Sequence, residues 1–197
     1  SDEIHVWHLA RPAGAGRTPL RAVLARHLGL DPAVLAFRTG PHGRPALAGN
    51  VAADIDFNWS HSGREALVAL GRGLQPGVDL ELARPRRRAL ELARRFFPAA
   101  EAALLAELAP AALEPAFLDL WTAREAVLKA LGRGLAFGPA RVEFTLAAGA
   151  PALPRVEGED IAAWQCLALA LGPGRHAALA WRGGPRRIVL HPLAECG

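Results

Sequence analysis

Apolar and polar positions change period several times along this chain. From Ile4 to Leu9 they alternate as in a strand. Arg11 to Gly16 is a Pro/Gly loop. Thr18 is a favourable N-cap, Pro19 suits a first helical turn and Gly29 a stop, so a helix is expected over Pro19 to Leu28. Asp31-Pro32 opens a short helical turn, and Leu35 to Arg38 reads as a strand. Gly40 to Pro45, GPHGRP, is a turn-rich loop carrying Arg44. Phe57 to Gly63, FNWSHSG, is an extended run ending in a polar turn, and Ala66 to Leu70 is an apolar strand. In Gly77 to Leu82, GVDLEL, the strand period puts Val78, Leu80 and Leu82 on one face and Asp79 and Glu81 on the other.

The second half opens with an amphipathic helix over Arg86 to Phe97, interrupted by Pro98. Ala99 to Leu108 is a second helix, and Pro110 to Pro115 a joint. Asp119 to Leu131 holds no Gly or Pro and is rich in Ala and Leu, which predicts a helix. Phe117, Leu120, Val127 and Leu131 give it an apolar face, while Trp121, Glu125 and Lys129 follow one another at i, i+4 on an adjoining stripe. Gly132 stops it, and Arg133-Gly134 opens a turn. Arg141 to Leu146, Trp164 to Leu171, Ala177 to Trp181 and Arg187 to Leu190 read as strands. Helices and strands mix in both halves, so the expected class is α+β.

Composition narrows the setting. The 197 residues are 51% apolar and 21% charged, a globular balance that suffices for one large domain or two small ones. No apolar run is long enough for a bilayer and no signal-peptide pattern opens the chain, so no membrane partner is expected. Cys166 and Cys196 make neither a disulfide framework nor a metal site, and a reducing cytoplasm is the expectation. The net charge of +4 comes mostly from arginine and favours polyanions: nucleic acid, acidic protein surfaces or phosphorylated small molecules.

Within that setting a few residues invite chemistry. The Asp79 and Glu81 carboxylates leave one strand face. They are either a solvated face or half of a cation site, because like charges that close repel unless screened. Mg²⁺ takes oxygen ligands, usually one or two carboxylates plus substrate phosphates, and Glu125 would make a third acid if the helix crosses the strand. A Glu125–Lys129 pair on its own is commonly a solvated contact worth about 0.3–0.5 kcal/mol. His61 reads as a turn or core histidine, or as a phosphate contact beside Gly63. Arg44 is a solvated loop arginine or a bidentate phosphate grip. Arg84 and Arg86 to Arg88 form a basic run, and the remaining histidines lack metal-ligand spacing.

Three stretches in this order resemble the signature blocks of 4′-phosphopantetheinyl transferases: FNWSHSG at 57–63, GVDLE at 77–81 and WTAREAVLKALGRGL at 121–135. GRPAL at 43–47 resembles the preceding block, and ALELARRFFPAAE at 89–101 the helix after the metal strand. The resemblance, to the surfactin-type single-chain class, covers roughly residues 17 to 182. It implies two similar α+β lobes related by a pseudo-twofold, 1–76 and 77–197, parting near Pro76-Gly77 around coenzyme A. The implied activity moves the phosphopantetheine arm of coenzyme A to a serine of an apo acyl or peptidyl carrier protein, releasing adenosine 3′,5′-bisphosphate. By the same resemblance Asp79, Glu81 and Glu125 hold Mg²⁺, with Mn²⁺ as the alternative ion. Glu125 is also the candidate base, Lys129 sits on the pyrophosphate, and His61 with Ser60 contacts a coenzyme phosphate. Arg44 and Arg17 lie near the adenosine 3′-phosphate. A monomer with an acidic carrier as partner and no nucleic acid is expected. The competing expectations are a basic nucleic-acid-binding module and an inactive carrier-binding homologue. Arg124 stands where the family usually has lysine, and only Arg11 and Arg17 precede the first helix.

Overall fold

The computed structural model describes residues 2–49, 54–84, 88–147 and 150–194. In chain order its elements are β1 (Glu3–Ala10), α1 (Thr18–Leu28), β2 (Phe37–Thr39), β3 (Pro45–Leu47), β4 (Ile55–Ser62), β5 (Glu65–Arg72) and β6 (Gly77–Leu82). There follow α2 (Ala89–Phe96), α3 (Ala99–Ala106), α4 (Pro110–Ala130), β7 (Val142–Ala147), β8 (Ala150–Val156), β9 (Trp164–Ala168), β10 (Arg175–Arg182) and β11 (Arg187–Ala194). The class is the expected α+β.

Two sheets carry the architecture. One runs β11-β1-β5-β4, the other β6-β10-β9, with short β2-β3 and β7-β8 ribbons beside them. Strand alternation then sorts the apolar side chains into three stacked clusters. Leu20, Val23 and Leu24 of α1 cover one face of the first sheet at Phe57, Val68 and Leu70. The other face, through Ile4, Val6, Leu67 and Ala69, packs on Val78, Leu80, Leu179 and Trp181 of the second sheet. The far face of that second sheet, at Ala178 and Ala180, receives α4 through residues such as Ala126 and Val127. The order is therefore helix, sheet, sheet, helix. The last strand, beyond the expected division at Pro76-Gly77, returns to pair parallel with β1.

Two contacts set β6 in place. A Cβ on Gly77 would come within 2.0 Å of the Ala126 carbonyl oxygen and 2.5 Å of the Ala130 nitrogen, so the strand lies on the bare backbone of α4. Along its other side β6 meets side chains of β4. The Asn58 Oδ1 accepts from the Val78 N–H at 3.1 Å, and the Ser62 Oγ accepts from the Leu82 N–H at 3.2 Å. These bonds satisfy strand donors that would otherwise be buried without partners.

Several boundaries differ from expectation. Pro110–Pro115 is no joint: it is the start of a 21-residue helix. Pro110 sits in the first turn, where its missing N–H costs nothing, and Pro115 gives up one bond close to that end. The first helix begins at Thr18, with Arg17 at the cap position and no side-chain bond there. Strand β8 is not among the expected strands; it carries Pro151 and Pro154, and among the described residues it pairs with β7 alone. Arg86 and Arg87 lie outside the described residues, and the amphipathic helix begins at Ala89.

Candidate active site

The acidic face of β6 meets the polar stripe of α4. Lys129, the one lysine in the chain, donates from Nζ to Asp79 Oδ1 at 2.7 Å and to the Val78 carbonyl at 3.0 Å. The same Oδ1 accepts from the Ser60 hydroxyl at 2.7 Å. Ser62 donates to Glu81 Oε2 at 3.0 Å. Asp79 is only 6% exposed, which removes the reading of a solvated strand face for that residue. A buried carboxylate needs paired charge and hydrogen bonds, and Asp79 has both.

Glu125 is half-buried one turn before Lys129. Burial pushes its carboxyl above the ordinary range. Lys129 opposes that push, and the Asp79 and Glu81 carboxylates add to it. Asp79 and Glu81 are thus near enough to Glu125 to act on its carboxyl. Among the described residues, however, no three His, Cys, Asp or Glu side chains close round a common point as a finished metal site.

Beside this cluster is a cavity of about 280 Å³. Arg44, Trp59, Glu125 and Lys129 line it, with Gly132 and Gly134 from the turn after α4. His61 lies in β4, not in a turn, and its exposed ring packs against Trp59 with centroids 5.3 Å apart. Partial burial lowers its pKa, and the charges of Arg11 and Lys129 lower it further against a weaker pull from Asp79. Ser60 and His61 leave opposite sides of the strand, as consecutive strand residues must. Arg44 is aimed at backbone: its guanidinium donates to the carbonyls of Lys129, Phe57 and Pro76. Arg17 is exposed at the start of α1.

Sequence reasoning passed over several neighbours. Asn58 and Ser62 were read only as parts of a motif, yet their alternation with Phe57 and His61 is the signal that they share a face with Ser60. His42 was set aside as structural; it lines the cavity with its backbone at φ 56°, a left-handed conformation flanked by Gly43. Arg124, next to Glu125, points the other way. It is 1% exposed and donates to Glu101 Oε2 at 2.6 Å, to the Val142 carbonyl at 3.1 Å and to the Pro139 carbonyl at 3.0 Å. Its guanidinium also lies over Phe97, 3.9 Å from the ring centre. Its position belongs to the core under α4, not to the acid cluster.

The family model described as the 4′-phosphopantetheinyl transferase superfamily matches residues 75–180. A putative 4′-phosphopantetheinyl transferase of Synechocystis is 40% identical over 122 residues, covering 62% of this chain and 50% of that protein. The 4′-phosphopantetheinyl transferase HetI of Nostoc is 40% identical over 123 residues, 62% of this chain and 52% of its own length. The 4′-phosphopantetheinyl transferase Sfp of Bacillus subtilis is 34% identical over 121 residues, 61% of this chain and 51% of its own. The chain spans about half the length of these relatives.

Proposed function

This chain belongs to the 4′-phosphopantetheinyl transferase superfamily, and on that premise we propose that it moves the phosphopantetheine arm of coenzyme A onto a serine of an apo acyl or peptidyl carrier protein. The observation that carries this reading is the meeting of β6 and α4. There Lys129 stands 2.7 Å from Asp79, and the Glu125 carboxyl is raised in part by Asp79 and Glu81.

The serine hydroxyl attacks the pantetheine-side phosphorus of the pyrophosphate. A new P–O bond forms, the bond to the other phosphate breaks, and adenosine 3′,5′-bisphosphate departs. Glu125 accepts the serine proton, a task helped by burial, which raises its carboxyl above the ordinary value. Lys129 stabilises the negative charge on the departing phosphate. Because the ammonium is already in place, it does so without reorganisation. His61 is assigned to a coenzyme phosphate; Ser60, placed with it by the resemblance, gives its one hydroxyl hydrogen to Asp79. Arg17 remains assigned to the adenosine end, whereas the Arg44 guanidinium is turned to backbone carbonyls.

The donor set suits Mg²⁺ or Mn²⁺. Asp79, Glu81 and Glu125 are hard oxygen donors with mutual repulsion that a cation would relieve. These three would hold the ion, which when bound would offset charge on the pyrophosphate. Two similar lobes, 1–76 and 77–197, are proposed to flank the coenzyme in a monomer that works in the cytoplasm. The basic run Arg86 to Arg88 before α2 is proposed as a dock for an acidic carrier, since complementary charge speeds encounter; Arg88 itself is exposed and pairs with Glu91. Among the described residues no helix is long and apolar enough to cross a membrane.

The test is direct. The chain is mixed with Mg²⁺, coenzyme A and apo carrier proteins, and mass spectrometry follows the added arm. Addition of the arm to a carrier serine is the expected result. No transfer to any of several acyl and peptidyl carriers would overturn the reading.

A further inference from the structure

Three segments far apart in the sequence meet at one guanidinium. Arg44 donates from Nη1 to the Lys129 carbonyl at 2.6 Å, and from Nη2 to the Phe57 carbonyl at 3.1 Å and the Pro76 carbonyl at 2.9 Å. Its side chain is 13% exposed. Lys129 lies in the last turn of α4, where its carbonyl has no i+4 partner within the helix, accepts from the Gly132 N–H at 3.1 Å, and has a second lone pair for the guanidinium. Pro76 immediately precedes the glycine on which β6 touches that same helix. Phe57 lies in β4, the edge strand whose side chains satisfy β6. Lys129 is thus fixed at both ends: its carbonyl by Arg44, its ammonium by Asp79 and Val78.

The donor count bears on what else Arg44 can do. Both Nη2 hydrogens and one on Nη1 are used, which leaves Nε–H and a diverging Nη1–H. Neither parallel pair of N–H groups needed for a bidentate phosphate grip is then intact. We infer that Arg44 is a positioning residue, a clamp that sets the Lys129 ammonium against Asp79, and not a contact for the coenzyme 3′-phosphate. The catalytic consequence rests on the transferase reading; the clamp itself does not.

Arg44→Lys and Arg44→Gln separate the two roles. A clamp depends on the planar fork, so both variants lose kcat by about tenfold or more while KM for coenzyme A stays within about twofold. The preference for coenzyme A over dephospho-coenzyme A also stays as in the parent. A 3′-phosphate contact gives the reverse: KM rises, the preference collapses, and lysine rescues because it keeps the charge. That pattern overturns the inference. A second readout needs no activity. Acetylation of Lys129 by an amine reagent, followed by peptide mapping, is expected to speed up in both variants as the ammonium leaves Asp79. An unchanged rate in folded protein would also overturn the clamp. If Arg44→Gln does not fold, Arg44→Lys carries both measurements. If the parent transfers nothing, the transferase reading falls while the labelling still decides on Arg44.

Discussion

Glu125→Gln separates chemistry from stability at a single atom pair. The raised carboxyl means that the folded chain holds this proton more tightly than the unfolded chain. As pH rises above the ordinary glutamate value near 4.3, ionisation therefore costs stability until the folded value is passed. Glutamine removes that cost. The variant is expected to match the parent in urea unfolding near pH 4 and to exceed it near pH 7, while transfer drops by roughly 10²–10³-fold. Arg124→Met does the opposite: it leaves Glu101 charged and buried, and a loss of about 3–5 kcal/mol in urea unfolding is expected. Adding Glu101→Leu should return part of it. The two neighbours also show what could be read beforehand. Glu125 and Lys129 were legible because a four-residue spacing fixes a shared direction. Arg124 is turned about 100° from Glu125 on the helix, and nothing local says that Glu101 waits there.

At the scale of elements, the site depends on how closely a strand can approach a helix. Gly77→Ala places a methyl against the α4 backbone, and neither element can yield without moving the acids away from Lys129. A destabilisation of about 3 kcal/mol or more is expected by thermal or urea unfolding. The strand itself was readable to the residue, from Gly77 to Leu82. Its side-chain seam with β4 was not, since pairing through Asn58 and Ser62 leaves no periodic signal beyond polar residues in a buried strand. The proline-bearing start of α4, expected as a joint, was misjudged for a related reason. Local propensity marks proline as a break, while position within the element decides whether it is one.

For the whole molecule, the class followed from the mixed periods, but the stacking order did not. Nothing in Arg187 to Leu190 announces that the strand crosses back to β1. Three histidines sit at that closure. His5 Nδ1 lies 3.0 Å from His191 Nε2, and the His5 and His27 ring centres are 5.0 Å apart. Burial lowers the pKa of His27 and His191, and neighbouring charges add to it: His5 and Arg72 on His27, and His5, His27 and Arg26 on His191. For a histidine depressed in the fold, stability is intact above the ordinary value near 6.5 and is lost as pH falls through it toward the folded value. Against the opposite trend from Glu125, the urea midpoint of the parent should therefore fall relative to that of His191→Gln between about pH 7 and pH 5. The parallel pairing has a mechanical side too. Glu3 faces Arg187 and Leu9 faces Ala194, with one register shift between Trp7 and Leu9, so a tether drawing residue 3 and residue 194 in opposite directions loads the ladder along its length. Its bonds share the force in shear and do not open one after another like a zipper, which makes this seam resist tension applied along the strands.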